Sequence, residues 1–123
     1  MECEISKVRN LFAKLCQEPK HLFPELERKL QVSKEHGVYV LYRNDDVVHV
    51  GRTLRGKEGL NQRLKNHLYG SSSFVKNFLK DKALLRGEEF QYQYILVESP
   101  RDRALLESYA IGSLCPEHLG LSE

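Results

Sequence analysis

The fifteen residues from Gly37 to Gly51 read GVYVLYRNDDVVHVG, and they constrain the fold more than any other stretch. Two runs rich in Val, Tyr and Leu flank the polar Asn44-Asp45-Asp46, which predicts a β-hairpin: such side chains suit a pleated, half-buried surface, and Asn and Asp supply turn chemistry. Turn length sets what the hairpin displays. A two-residue loop at Asn44-Asp45 pairs Arg43 with Asp46 and puts Tyr39 and His49 on opposite faces. A three-residue loop pairs Arg43 with Val47 and puts Tyr39, Leu41, His49 and Gly51 on one face. We adopt the three-residue loop. It makes Tyr39 and His49 a titratable pair beside two glycines that leave space.

A chain of 123 residues supports one domain with one core. No apolar run approaches the length of a bilayer span, and MECEISKVRN has no signal-peptide core, so a cytoplasmic protein is expected. Cys3, Cys16 and Cys115 are odd in number and lack a CxxC pair, against a disulfide framework or a zinc site. Cys16 and Cys115 are expected as small buried residues. Charge is uneven. Residues 49–86 hold nine Lys/Arg against two Asp/Glu, net +7, whereas residues 87–123 hold two against seven, net −5. A basic centre of that kind points to a polyanionic partner, with Arg52, Arg55, Lys57, Lys65, Lys76 and Lys80 as its candidate phosphate contacts.

Ahead of the hairpin, Ile5, Val8, Leu11, Phe12 and Leu15 recur at helical spacing and predict an amphipathic helix over residues 3–16, ended at Gln17-Glu18-Pro19. Pro24 can open a second helix to about Val32. After the hairpin, the basic loop from Arg52 to Gly59 lacks the spacing of a phosphate-binding loop. From Leu60 a helix is predicted with Leu60, Leu64 and Leu68 on one side. Arg63 and His67, at i and i+4, project together from a neighbouring stripe, a pairing suited to an anion. Gly70-Ser71-Ser72-Ser73 breaks that helix, and another follows from Phe74 to about Leu85. The run Phe90 to Val97 reads as a strand. Ser99-Pro100-Arg101-Asp102 starts a capped helix through about Leu114. Glu107 falls at the edge of its apolar arc, where a carboxylate needs a partner. Two partners stand open: Arg103 four residues earlier, or a divalent cation.

Taken in order, these pieces resemble the GIY-YIG nuclease superfamily. The first tripeptide reads Gly37-Val38-Tyr39 and the second His49-Val50-Gly51; Arg63 with His67 matches the helical Arg, and Glu107 the helical Glu. The resemblance runs from about residue 36 to residue 119. It implies an α+β fold: a small three-stranded antiparallel sheet flanked by helices, with residues 1–35 as a helical extension packed on a catalytic domain of residues 36–123. It also implies an endonuclease that hydrolyses phosphodiester bonds, in DNA, with one divalent cation, Mg²⁺ or Mn²⁺. Carried over, Tyr39 assists deprotonation of the attacking water, directly or through a neighbour, His67 holds the base network or donates to phosphate, Arg63 balances charge on the phosphate, and Glu107 binds the metal. His49 stands where the family usually has its second tyrosine, and imidazole can shuttle a proton near neutral pH. The loop between Gly51 and Arg63 is a few residues longer than in simpler members. Where many members carry an Asn after a late Pro, this chain has Leu119, with His118 adjacent. A non-cleaving nucleic-acid-binding module on the same basic surface is the alternative.

Overall fold

The computed structural model describes residues 3–24, 32–54, 59–68 and 89–119. Helix α1 (Glu4–Gln17) leads to a two-residue strand β1 (His21–Leu22), then the hairpin β2 (Gly37–Arg43) and β3 (Asp46–Arg52). Helix α2 (Gly59–Leu68), strand β4 (Phe90–Leu96) and helix α3 (Pro100–Leu114) follow. Among the described residues the strands pair antiparallel, in the order β1-β4-β2-β3. Among the described residues the sheet therefore has four strands, the short edge strand β1 adding to the three expected. Of the helix expected from Pro24 to about Val32, residues 25–31 lie outside the described residues, as does the helix expected over residues 74–85.

Alternation along the strands gives the sheet two apolar faces. Tyr39, Leu41, Val48, Phe90 and Tyr92 meet Leu60 and Leu64 of α2 on one face. Val38, Val40, Tyr42, Val50 and Ile95 meet Leu15 of α1 and Leu106 and Ala110 of α3 on the other. Leu60 and Leu64 are fully buried, a contribution on the order of 1.5–3 kcal/mol each. Ion pairs tie α1 to α3: Arg101 is bidentate to Glu4 at 2.7 and 2.9 Å, and Lys7 meets Asp102 at 2.8 Å. The buried Gln93 secures the end of α1, accepting from Tyr42 Oη at 2.7 Å and donating to the carbonyl of Glu18 at 2.7 Å.

The hairpin departs from expectation in a way that preserves its display. Asn44 (φ 51°) and Asp45 (φ 70°) form a two-residue turn, and Arg43 pairs with Asp46, not Val47. Left-handed backbone at both central positions is what a tight hairpin demands, and Asn and Asp tolerate it. The register then slips between Leu41 and Tyr42: Tyr42 opposes Val47, whereas Leu41 opposes His49. Val48 is the extra residue of a β-bulge. The bulge restores the pairing that a three-residue loop would have given, so Tyr39 opposes Gly51 and shares a face with His49.

Helix α3 starts as expected, with Ser99 Oγ accepting from the Asp102 amide at 3.2 Å and proline in the first turn. It ends at Cys115, whose φ of 49° turns the chain back. All three cysteines are exposed, so Cys16 and Cys115 are not the buried residues expected of them. Cys115 serves the cap. Among the described residues no helix is long and apolar enough to cross a membrane.

Candidate active site

Tyr39 is the deepest residue of the site. Strand β2 carries it at zero exposure, and its phenol lies over Gly51 of β3, where any Cβ would overlap the ring. Gly37, two residues earlier, is likewise obligatory: a Cβ there would run into the carbonyl of Ile95 on β4. Helix α2 is anchored above. Its first amides, Leu60 and Asn61, donate to the carbonyls of Glu35 and Ser33 at 3.0 Å each, satisfying groups that a helix start leaves open. So anchored, α2 hangs Arg63 and His67 over Tyr39. Tyr39 Oη lies 2.7 Å from His67 Nε2, and Arg63 also hydrogen-bonds the phenol.

Burial governs the protonation states. It pushes the Tyr39 phenol up to about 12, against the opposing pull of Arg63. It drives His67 well below the ordinary histidine value, with the neighbouring His49 and Arg63 adding to the effect. At neutral pH the pair is a neutral phenol and a neutral imidazole joined by one hydrogen bond. In the tautomer protonated on Nδ1, His67 accepts the phenolic proton.

His49 completes a ring cluster. Its centroid lies 6.0 Å from Tyr39, 5.1 Å from His67 in an edge-on arrangement, and 5.0 Å from His118. Burial, with His118 and Arg63 nearby, lowers its pKa to about 3. Its Nδ1 is 3.0 Å from Nδ1 of His118. The segment after Cys115 reaches the outer edge of β3, where the amides of Glu117 and His118 donate to Val47 and Val48 at 3.2 and 2.9 Å.

Glu107 comes from the other layer. It sits on α3, half-buried, and pairs with Arg52 at the end of β3 (Nη1 to Oε1, 3.4 Å). The register sets Arg52 opposite Val38, hence on the α3 face. β3 is an edge strand, and the site straddles it. Glu107 is near enough for its charge to act on Tyr39, and Arg63 for its charge to act on Glu107. Burial raises the Glu107 carboxyl above its ordinary value, while Arg52 and Arg63 pull it down.

Arg103 does not pair with Glu107. Only 3% exposed, it donates to four carbonyls: Thr53 (3.1 Å), Leu54 (3.1 Å), Val97 (3.0 Å) and Glu98 (2.8 Å). Helical spacing favours the i, i+4 ion pair, but four unpaired carbonyls at the ends of β3 and β4 claim the guanidinium instead. Arg52, counted by sequence among the phosphate contacts, is the partner of Glu107. Lys65 is half-buried on α2 and makes no ion pair among the described residues. Arg55, Lys57, Lys76 and Lys80 lie outside the described residues. Sequence missed the His49–His118 contact, which depends on the left-handed cap at Cys115 and an edge pairing; the proximity of His118 to the expected Asn position was its one signal.

Comparison with protein-family models finds none that matches, and comparison with curated proteins finds no relative. Among solved structures, the chain superposes on a point mutant of the GIY-YIG N-terminal endonuclease domain of UvrC from Thermotoga maritima, bound to its catalytic divalent cation. The TM-score is 0.51 at 19% identity, over 98% of this chain and 100% of that one. The chain has the GIY-YIG endonuclease fold. The same Thermotoga maritima domain bound to magnesium gives 0.49 at 20% identity (95% and 97% covered), and a mutant of bacteriophage T4 EndoII gives 0.49 at 11% (91% and 98% covered). In this chain's version of the GIY-YIG fold, the two tripeptides lie side by side on β2 and β3, with Tyr39 opposite Gly51.

Glu107 offers one carboxylate that could hold a hard divalent cation. Among the described residues there is no group of three His, Cys, Asp or Glu able to cage a metal. Glu107, partly exposed, is the carboxylate at the site's edge. Mg²⁺ is commonly bound through one or two carboxylates, with water and substrate phosphate completing its shell. The residues present fit such an ion.

Proposed function

We propose that this chain is a divalent-cation-dependent endonuclease that hydrolyses phosphodiester bonds in DNA. One observation carries the proposal: a hydrogen-bonded Tyr39–His67 pair, a guanidinium from Arg63 and a half-buried carboxylate from Glu107 lie within electrostatic reach of one another at the edge of β3. Each has a part in phosphodiester hydrolysis. Tyr39 and His67 form the base network: a proton received by the phenol oxygen is matched by transfer of the phenolic proton to His67 Nε2. Because Tyr39 is fully buried, it works through neighbouring groups, with His49 among them. Arg63 offsets negative charge growing on the phosphate, a fixed dipole-and-charge arrangement of the kind that supplies much of such catalysis. Glu107 would hold Mg²⁺ or Mn²⁺, which when bound supplies charge compensation to the phosphate and the leaving oxygen. The +7 charge of residues 49–86 supports a nucleic-acid substrate.

The Arg52–Glu107 ion pair favours a second reading, a module that binds nucleic acid without cutting it, because Arg52 already satisfies the carboxylate. One experiment separates the two. Labelled linear, nicked, flapped and four-way DNA is incubated with the purified protein and Mg²⁺ or Mn²⁺. Cutting that chelator abolishes supports the nuclease. Salt-sensitive binding with no cutting under any metal supports the module.

A further inference from the structure

The cluster contains a histidine that the roles above leave unused. His118 arrives from the end of the chain, outside the sheet, and its imidazole meets His49 nitrogen to nitrogen at 3.0 Å. Two neutral imidazoles so placed share one proton: one Nδ1 donates and the other accepts. Whichever ring donates, the other nitrogen of each ring takes the opposite character. Moving the shared proton from one Nδ1 to the other, with uptake of a proton at His49 Nε2 and release of one from His118 Nε2, inverts both rings at once. His49 Nε2 changes from acceptor to donor, and His118 Nε2 from donor to acceptor.

We propose that His118 is a relay residue that carries protons between His49 and solvent. The step rests on the nuclease reading for its substrate and is balanced as follows. A proton released as the attacking water is deprotonated is taken up at His49 Nε2, whose ring lies 5.1 Å from that of His67. The Nδ1 proton of His49 passes to His118 Nδ1, and His118 releases a proton from its own Nε2 to solvent. In the reverse movement His118 takes up a proton from solvent at Nε2, its Nδ1 proton passes to His49 Nδ1, and His49 gives up its Nε2 proton towards the leaving oxygen. No oxidant or further reactant is involved.

Burial explains why one histidine would not suffice. His49 is only 9% exposed, and a positive charge held there would be costly. The strong depression of its pKa expresses that cost. His118 is partly exposed and hands the proton on at the rim. Its place does not depend on its side chain, since its amide bonds the carbonyl of Val48 at 2.9 Å and its neighbour Glu117 bonds Val47. Removing the imidazole should leave the segment docked, so the relay can be deleted without deleting its support.

The test uses the full chain, with His118→Ala and His118→Gln, both checked by far-UV circular dichroism. With saturating DNA and Mg²⁺, kcat falls by about a hundredfold in both, at the lower end of what general acid–base groups supply. KM stays within about twofold, since His118 touches no substrate. Added imidazole restores part of the lost rate in His118→Ala, where it can enter the vacated space, and not in His118→Gln. An unchanged kcat, or a loss that imidazole leaves untouched, overturns the relay. A second measurement needs no cleavage. In ¹⁵N-labelled protein, a scalar coupling between His49 Nδ1 and His118 Nδ1 across the shared proton supports the pair, and its absence overturns it. A protein that cuts nothing refutes the nuclease reading alone, because the coupling still decides the imidazole pair.

Discussion

Lowering the pH from 7 to 5 should cost this protein a measurable part of its stability, and His49 should account for much of it. The imidazole is buried and its pKa is depressed from 6.5 to about 3. The unfolded chain therefore takes up a proton that the folded chain refuses, and stability is full above pH 6.5 and lost as pH falls towards 3. Each pH unit in that window removes about 1.4 kcal/mol per such group, so His49 alone removes about 2 kcal/mol by pH 5 and about 3 kcal/mol by pH 4. His67 and His118, also depressed by burial, act in the same direction. Glu107 acts in the opposite sense, because its raised carboxyl favours the folded state as pH falls towards 4.5. Against a typical total of about 5–15 kcal/mol, the histidine effect is large. The assay is urea unfolding followed by far-UV circular dichroism at pH 7, 6 and 5, since the chain has no Trp for fluorescence. His49→Gln should reduce the loss between pH 7 and 5 by about 2 kcal/mol, although its stability at pH 7 is lower. A wild-type stability constant to within about 0.5 kcal/mol over that range would show that no buried neutral histidine is present.

Further expectations concern single contacts. Gly51→Ala forces a methyl into the Tyr39 ring and should destabilise by about 1–3 kcal/mol in urea unfolding; a neutral result would place the ring elsewhere. Arg103→Leu strands four carbonyls at the ends of β3 and β4 and should cost about 3 kcal/mol or more, read as a lowered Tm. Arg63→Ala should lower kcat by at least about a hundredfold, by loss of charge stabilisation, while the circular dichroism spectrum is retained. A rate near wild type would remove Arg63 from the site.

Much of this fold can be read locally, and the misreadings trace to long-range pairings. Helix α3 announces itself in Ser99-Pro100-Arg101-Asp102 because capping chemistry acts within one turn. The pairing of Arg63 with His67 also follows from helical spacing alone. The hairpin is more instructive. Asn44 and Asp45 are suited to a tight two-residue turn, and that is the turn they form. The bulge at Val48, by contrast, has no compositional mark, since a valine in a bulge looks like a valine in a ladder. Turn length and bulge offset each other, and Tyr39 and His49 end on one face for a reason other than the one adopted from sequence. Arg103, one of the two partners that spacing left open for Glu107, goes elsewhere because spacing along a helix says nothing about carbonyls arriving from two distant strands. His118 was underrated for the same kind of reason: its contact with His49 spans 69 residues and exists only because the chain turns back at Cys115. The basic loop and the lysines of residues 69–88 stay expectations of charge alone.

The central claim is that Glu107, set across the edge of β3 from the Tyr39–His67 pair, serves a cation-dependent nuclease. The most direct measurement is single-turnover cleavage of a labelled DNA by the wild-type chain and Glu107→Gln, side by side, in Mg²⁺ and in chelator. The substitution keeps the side chain's shape and removes its charge. Cleavage by wild type in Mg²⁺ alone, lost in Glu107→Gln with the fold and Tm retained, is the result predicted. Equal cleavage by both proteins, or cleavage by wild type that persists in chelator, would contradict it.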